Sequence, residues 1–163
     1  MLSIYNTLSR SKEAFTPIES GKVRMYVCGV TVYDYCHIGH ARSALVFDVL
    51  RRYLEYTGFA VEFAKNFTDV DDKTIRGATK EGVTLDQYCA PFIKAFFEDL
   101  NTLQIERAEH YPAATEYIPQ MIEFIHKLLD KGVAYKGKDG SIYYNIHKFP
   151  RYGCLSHLKL DEL

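Results

Sequence analysis

The sequence contains no tryptophan, no excess of either charge and no long hydrophobic run. Lys and Arg number 20 against 21 Asp and Glu, a net charge of −1. Nothing in that balance draws the chain as a whole to a phosphate backbone, so an RNA partner would be met mainly by other parts of a larger protein. No apolar stretch approaches the length that spans a bilayer. The polar, broken start "MLSIYNTLSR" lacks the features of a signal peptide. The four cysteines, Cys28, Cys36, Cys89 and Cys154, show no disulfide-framework spacing. These absences point to a reducing, cytoplasmic setting with no membrane partner. The closing "KLDEL" is not a Lys-Asp-Glu-Leu retention signal, because Leu160 interrupts it. No internal repeat or low-complexity segment is found.

What is present suits a folded α/β domain. Hydrophobic residues make up 47% and charged residues 25% of 163 positions, enough for a real core. "GKVRMYVCG" predicts a strand from Val23 to Cys28, ending at Gly29. In the next segment the apolar residues Val46, Val49, Leu50, Tyr53 and Leu54 fall at helical spacing, which predicts a helix from about Gly39 to Thr57, with Gly58 at its exit. On this reading Arg51 and Arg52 belong to a solvated face. "FAVEFAKNF" predicts a second strand. Strand, helix and strand in about forty residues make a βαβ unit with a parallel pair, and ligands of such units sit at the carboxyl ends of the strands. Those ends are residues 28–30 and 66–72.

Further along, Thr84 and Gln87 match a capping box for a helix with Leu85, Tyr88, Phe92, Phe96 and Leu100 on one stripe. Pro91 within it predicts a kink or a break. A helix is expected at 119–131, then a hairpin in "VAYKGKDGSIYYNI" with Asp139-Gly140 at the turn and its tyrosines packed in a core. The character shifts near residue 110. The expected division is 1–110, a nucleotide-binding part, and 111–163, a helix and β-hairpin.

The chemistry concentrates in "CGVTVYDYCHIGH", Cys28 to His40. Three readings compete. A local zinc site from Cys28, Cys36, His37 and His40 has a spacing that matches none of the common zinc motifs, where cysteines pair two to four residues apart. A phosphate site would use the first turn of the helix, where unpaired N–H groups and the positive dipole end favour an anion. Gly39 there lets a ligand approach the backbone. The third reading is structural, with histidines that cap the helix. Two histidines bracketing a glycine after a strand favour the second reading over the third. In "TDVDDK", Asp69, Asp71 and Asp72 are read as a helix N-cap with solvated neighbours rather than as a magnesium site. His110, His126, His147 and His157 are read as surface or locally bonded.

The tetrapeptide His-Ile-Gly-His after the first strand resembles the signature of class I aminoacyl-tRNA synthetases. With "MYVCGVTVYDYCHIGHARSALVFDVLRRYL", "NFTDVDDKTI", "PAATEYIP" and "YGCLS", the whole chain resembles the cysteinyl-tRNA synthetase family. The resemblance implies the first part of a Rossmann-like class I catalytic domain, a parallel sheet with helices, followed by the start of a connective insertion. It implies ATP, with Mg2+, and L-cysteine as substrates, and tRNA(Cys) as a partner of the full-length enzyme. Cys28 matches a ligand of the zinc ion that binds the substrate thiol, and the other ligands would lie beyond residue 163. His37 and His40 match the catalytic, ATP-binding histidines, and Gly39 the glycine on which adenine packs. Gly29, Thr31 and Thr68 are the candidates for holding the amino and carboxylate groups of cysteine. A "KMSKS"-like loop is not found, so the chain is expected to be the front of a longer enzyme and inactive by itself. Two other functions fit the same residues: a non-catalytic nucleotide- or partner-binding module, and a cysteine ligase acting on an amino-sugar conjugate.

Overall fold

The computed structural model describes residues 2–158. The sequence "KLDEL" therefore lies outside the described residues. The elements are strands β1 (Ser3–Asn6), β2 (Ser11–Ala14) and β3 (Lys22–Val27), helix α1 (Ile38–Tyr56), strand β4 (Ala60–Lys65), helices α2 (Asp72–Glu81) and α3 (Leu85–Thr102), a 3-10 turn (Ala114–Tyr117), helix α4 (Ile118–Asp130), strands β5 (Ala134–Lys136) and β6 (Ile142–Tyr144), and a second 3-10 turn (Ile146–Lys148). They form two compact units. Pro17–Tyr117 is one, and the described residues on either side of it make the other. The boundary between them falls before α4, seven residues beyond the shift in sequence character at 110.

The 17–117 unit is built on the parallel pair β3–β4, which runs from Lys22 opposite Ala60 to Val27 opposite Lys65. Helix α1 makes the crossover, as the periodicity predicts. Past the strands the pair continues as a single bridge between Thr31 and Thr68, held by Val32 N–H to the Thr68 carbonyl (3.2 Å) and Thr68 N–H to the Val30 carbonyl (3.0 Å). On its far side β4 is flanked by the 110–113 segment, with Lys65 N–H on the His110 carbonyl and Phe67 N–H on the Pro112 carbonyl. The main core gathers Val32, Ala44, Phe67, Cys89, Phe96, Leu100 and Ile105. Phe67 is its hub, stacked on Tyr111 and edge-on to Phe96 and Phe97. Burial pushes the Cys89 thiol up to about 11, so it is an inert part of that core.

Helix α3 keeps its predicted capping box, with Thr84 and Gln87 exchanging hydrogen bonds. It runs unbroken through Pro91. The ring removes one donor, but the buried Cys89, Phe96 and Leu100 on either side hold the helix against the core. Helix α2 starts at Asp71, whose side chain accepts from Lys73 N–H, while Thr74 returns a bond to the Asp71 backbone. Asp69 instead accepts from Thr115 N–H and the Thr115 hydroxyl. Both acidic side chains are thus helix or turn caps.

Helix α1 overturns one expectation. Of its predicted apolar stripe only Leu54 is buried; Leu50 is half-buried, and Val46, Val49 and Tyr53 are exposed. The buried face holds Ala44, Asp48, Arg51 and Leu54. Arg51 is not solvated. It donates to the Arg107 carbonyl (2.7 Å), to Glu55 (3.0 Å) and to Glu109. Asp48 accepts from Glu106 N–H (2.9 Å) and pairs with Arg52 (2.8 Å). Burial of a charge is tolerable when its hydrogen bonds are complete, and the 104–109 segment supplies them.

In the other unit, β1 and β2 form an antiparallel hairpin. The sequence around them carries no apolar alternation that would predict it. Strands β5 and β6 pair around a turn containing Asp139 and Gly140, with φ +85° at the glycine. Tyr135 and Tyr143 stack, yet Tyr135, Ile142, Tyr143 and Tyr144 are all exposed. The expected core packing of this hairpin is therefore not present, because two short strands offer no second layer to bury them.

Candidate functional site

Two clusters of predicted residues lie on the 17–117 unit. The first is at the carboxyl ends of β3 and β4. Cys28 follows β3 with an exposed thiol. Gly29 comes next, and Thr31 sits beside Thr68 through the parallel bridge. The sheet therefore brings Cys28, Gly29, Thr31 and Thr68 to one strand end. Gly29 is fixed by space: a Cβ there would fall on the carbonyl oxygen of Asn66. The Gly29 N–H donates to Asn66 Oδ1 (2.8 Å), and the Tyr26 hydroxyl donates to the same oxygen (2.9 Å).

The second cluster is the first turn of α1. His37 is the N-cap, and its Nδ1 accepts from Gly39 N–H (3.0 Å). His40 Nδ1 accepts from His37 N–H (3.3 Å). The two imidazoles stack with centroids 3.9 Å apart. A nitrogen that accepts carries no proton, so both rings hold their proton on Nε2 and keep it for another acceptor. Burial, then His37 and Lys65, hold His40 below its ordinary value, which favours the neutral ring. The capping described by the structural reading is thus present, and it orients the same donors that the phosphate reading needs. A Cβ on Gly39 would press on the His37 ring, so the glycine protects the cap as well as access to the helix end.

Beside this turn is an open pocket of about 230 Å³, lined by Cys36, His37, His40, Ala44, Phe96 and Asp99 among others. Burial raises the Cys36 thiol, and Cys36 forms part of the pocket wall. Among the described residues no three His, Cys, Asp or Glu side chains stand together as a metal site. The 33–36 loop joins the two clusters. It is pinned by the Tyr88 hydroxyl on the Tyr33 carbonyl (3.1 Å) and by Tyr35 edge-on to Phe92.

Two residues near the site were not marked by the sequence pattern. Lys65, the last residue of β4, is buried with its ammonium 5.4 Å from the centre of the Phe96 ring, and burial lowers its pKa. Asn66 clamps the strand ends. A polar pair closing an apolar strand is the only sequence signal of either, and strand ends routinely carry such residues.

The sequence matches the family described as tRNA synthetases class I (C) catalytic domain over residues 14–163. It is 58% identical over 162 residues to the cysteine–tRNA ligase of Protochlamydia amoebophila, which covers 99% of this chain and 34% of that protein. The cysteine–tRNA ligase of Levilactobacillus brevis is 55% identical over 163 residues, 100% of this chain and 34% of that protein. The chain thus spans about a third of the length of the curated relatives it matches. Among solved structures, the fold resembles Mycobacterium tuberculosis methionyl-tRNA synthetase in complex with methionyl-adenylate, with a TM-score of 0.63 and 16% identity over 70% of this chain and 23% of that one. It also resembles the LeuRS of Agrobacterium radiobacter K84, with a TM-score of 0.61 and 21% identity over 74% of this chain and 16% of that one.

Proposed function

Because this chain belongs to the family of class I tRNA synthetase (C) catalytic domains, we propose that it is the N-terminal catalytic part of a cysteine–tRNA ligase. The full-length enzyme would join L-cysteine to ATP, releasing pyrophosphate, and then pass the cysteinyl group to tRNA(Cys). The observation that carries this reading is the division of labour in the 17–117 unit. Polar residues close a parallel strand pair, and a helix start with two Nε2–H donors stands one loop away.

In the activation step the cysteine carboxylate attacks the α-phosphorus of ATP, and the bond to pyrophosphate breaks. No protein nucleophile is required. Positioning and stabilisation of the phosphoryl charge do the catalysis. His37 and His40 donate from Nε2 to phosphate oxygens, and the dipole of α1 adds to them. Gly39 gives the adenosine room. Mg2+ arrives with ATP. Gly29, Thr31 and Thr68 hold the amino and carboxylate groups of cysteine. Cys28 would take one ligand position of a zinc ion, since its thiol is free and exposed. When bound, zinc would supply a Lewis acid that takes the substrate sulfur as thiolate and discriminates against a hydroxyl. The remaining ligands would come from the rest of the enzyme, as would the tRNA contacts. Residues 111–163 are read as the start of the connective insertion. No helix among the described residues is long and apolar enough to cross a membrane, and the reading places the enzyme in the cytoplasm.

The test is ATP–pyrophosphate exchange by the full-length enzyme with each amino acid in turn. Exchange that depends on cysteine and ignores serine is the expected result. No exchange with cysteine, or equal exchange with serine, would refute the reading.

A further inference from the structure

Asn66 makes three side-chain hydrogen bonds at the strand ends. Its Oδ1 accepts from Gly29 N–H (2.8 Å) and from the Tyr26 hydroxyl (2.9 Å), and its Nδ2 donates to Thr68 Oγ1 (3.3 Å). The side-chain orientation is determined by its partners. Turned over, the amide would point its N–H groups at a peptide N–H, which can only donate. The backbone is fixed on both sides, by Lys65 N–H on the His110 carbonyl and Phe67 N–H on the Pro112 carbonyl. The Asn66 carbonyl also fills the space that a side chain at position 29 would need.

We infer that Asn66 is a positioning residue that sets the hydrogen-bonding polarity of the amino-acid site. This rests on the function proposed above. Thr68 Oγ1 accepts a hydrogen bond from Asn66 Nδ2, so its own O–H is left to donate. Gly29 has its N–H engaged by Asn66 Oδ1, so its peptide can serve a ligand only as an acceptor. One amide thereby presents a donor for a carboxylate on β4's extension and an acceptor for an ammonium on β3's. A zwitterionic α-amino acid needs that pair, and a substrate bound the other way round would meet two mismatches. Asn66 touches no substrate in this account. It acts through Gly29 and Thr68.

Asn66→Asp separates this role from simple bracing. The new carboxylate still accepts from Gly29 and Tyr26, so the strand clamp stays. It cannot donate to Thr68, whose hydroxyl proton turns inward to it. In the full-length enzyme, exchange kinetics should show the KM for cysteine raised about tenfold, the usual scale for loss of a supporting hydrogen bond, while the KM for ATP stays within about twofold. Thr68→Val added to Asn66→Asp should raise the cysteine KM little further, because both changes remove the same donor. Should the Asp variant be unstable, Asn66→Ser, which gives up the strand clamp as well, should still raise the cysteine KM while the KM for ATP stays within about twofold. Equal shifts in both KM values, no shift in either, or fully additive effects with Thr68→Val would overturn the inference. A wild-type enzyme without cysteine-dependent exchange would overturn the functional reading and this inference with it. An active wild type with an unmoved cysteine KM in the variants overturns this inference alone.

Discussion

His37 and His40 are organised by the backbone before any ligand arrives. Each gives its Nδ1 to a peptide N–H of the helix start, and the rings stack. Protonating either ring would remove a cap and set a charge against its neighbour. His40 accordingly sits below its ordinary value of 6.5, through burial first and the nearby positive groups second. The sign follows from linkage. The unfolded chain takes up the proton more readily than the folded one, so the stability carried by neutral His40 is present above about 6.5 and is lost as pH falls through the folded value. An NMR titration of the His40 ring should give a midpoint below 6.5, and a midpoint at or above it would contradict the capping account. Of the residues in this site, the histidines and glycines were legible because their spacing is distinctive. Asn66 was not, because its role depends on which strands lie side by side, and that contact spans 37 positions.

At the scale of elements, the βαβ unit was legible from hydrophobic periodicity, and helix α3 from its capping box. The facing of α1 was not. Periodicity locates an apolar stripe but assumes that it points inward. Here the inward face carries Asp48 and Arg51, because the 104–109 segment brings them two peptide groups and the carboxylates of Glu106 and Glu109. Replacing Arg51 by Met keeps the volume but strands the Arg107 carbonyl and leaves Glu109 without its partner. Breaking such a buried pair should cost about 2–3 kcal/mol, toward the lower end because Glu55 and Glu109 can regain water. Urea unfolding of the variant measures this. A midpoint equal to wild type would show Arg51 to be a bystander. Likewise the β1–β2 hairpin follows from pairing rather than pattern: four-residue strands with half-exposed side chains carry too little alternation to be read.

At the scale of the whole molecule, a chain about a third as long as the cysteine–tRNA ligases it resembles carries both halves of the proposed activation site, but in unequal states. The helix start proposed for ATP is organised by its own backbone, with its two histidines internally capped. The cysteine half has its floor, with Gly29, Thr31 and Thr68 joined through the sheet and Asn66, but only one thiol toward a metal. "CGVTVYDYCHIGH" is accordingly one connection between a strand end and a helix start rather than one cluster of ligands, and Cys36 belongs to the wall of the pocket beside the histidines. The most direct test of that division is steady-state ATP–pyrophosphate exchange by full-length enzyme carrying Cys28→Ser. The account predicts loss of bound zinc and a cysteine KM raised by about a hundredfold or more, the upper range for disturbing a metal site, with the KM for ATP essentially unchanged. A Cys28→Ser enzyme that keeps its zinc and its cysteine KM, or loses affinity for both substrates alike, would contradict it.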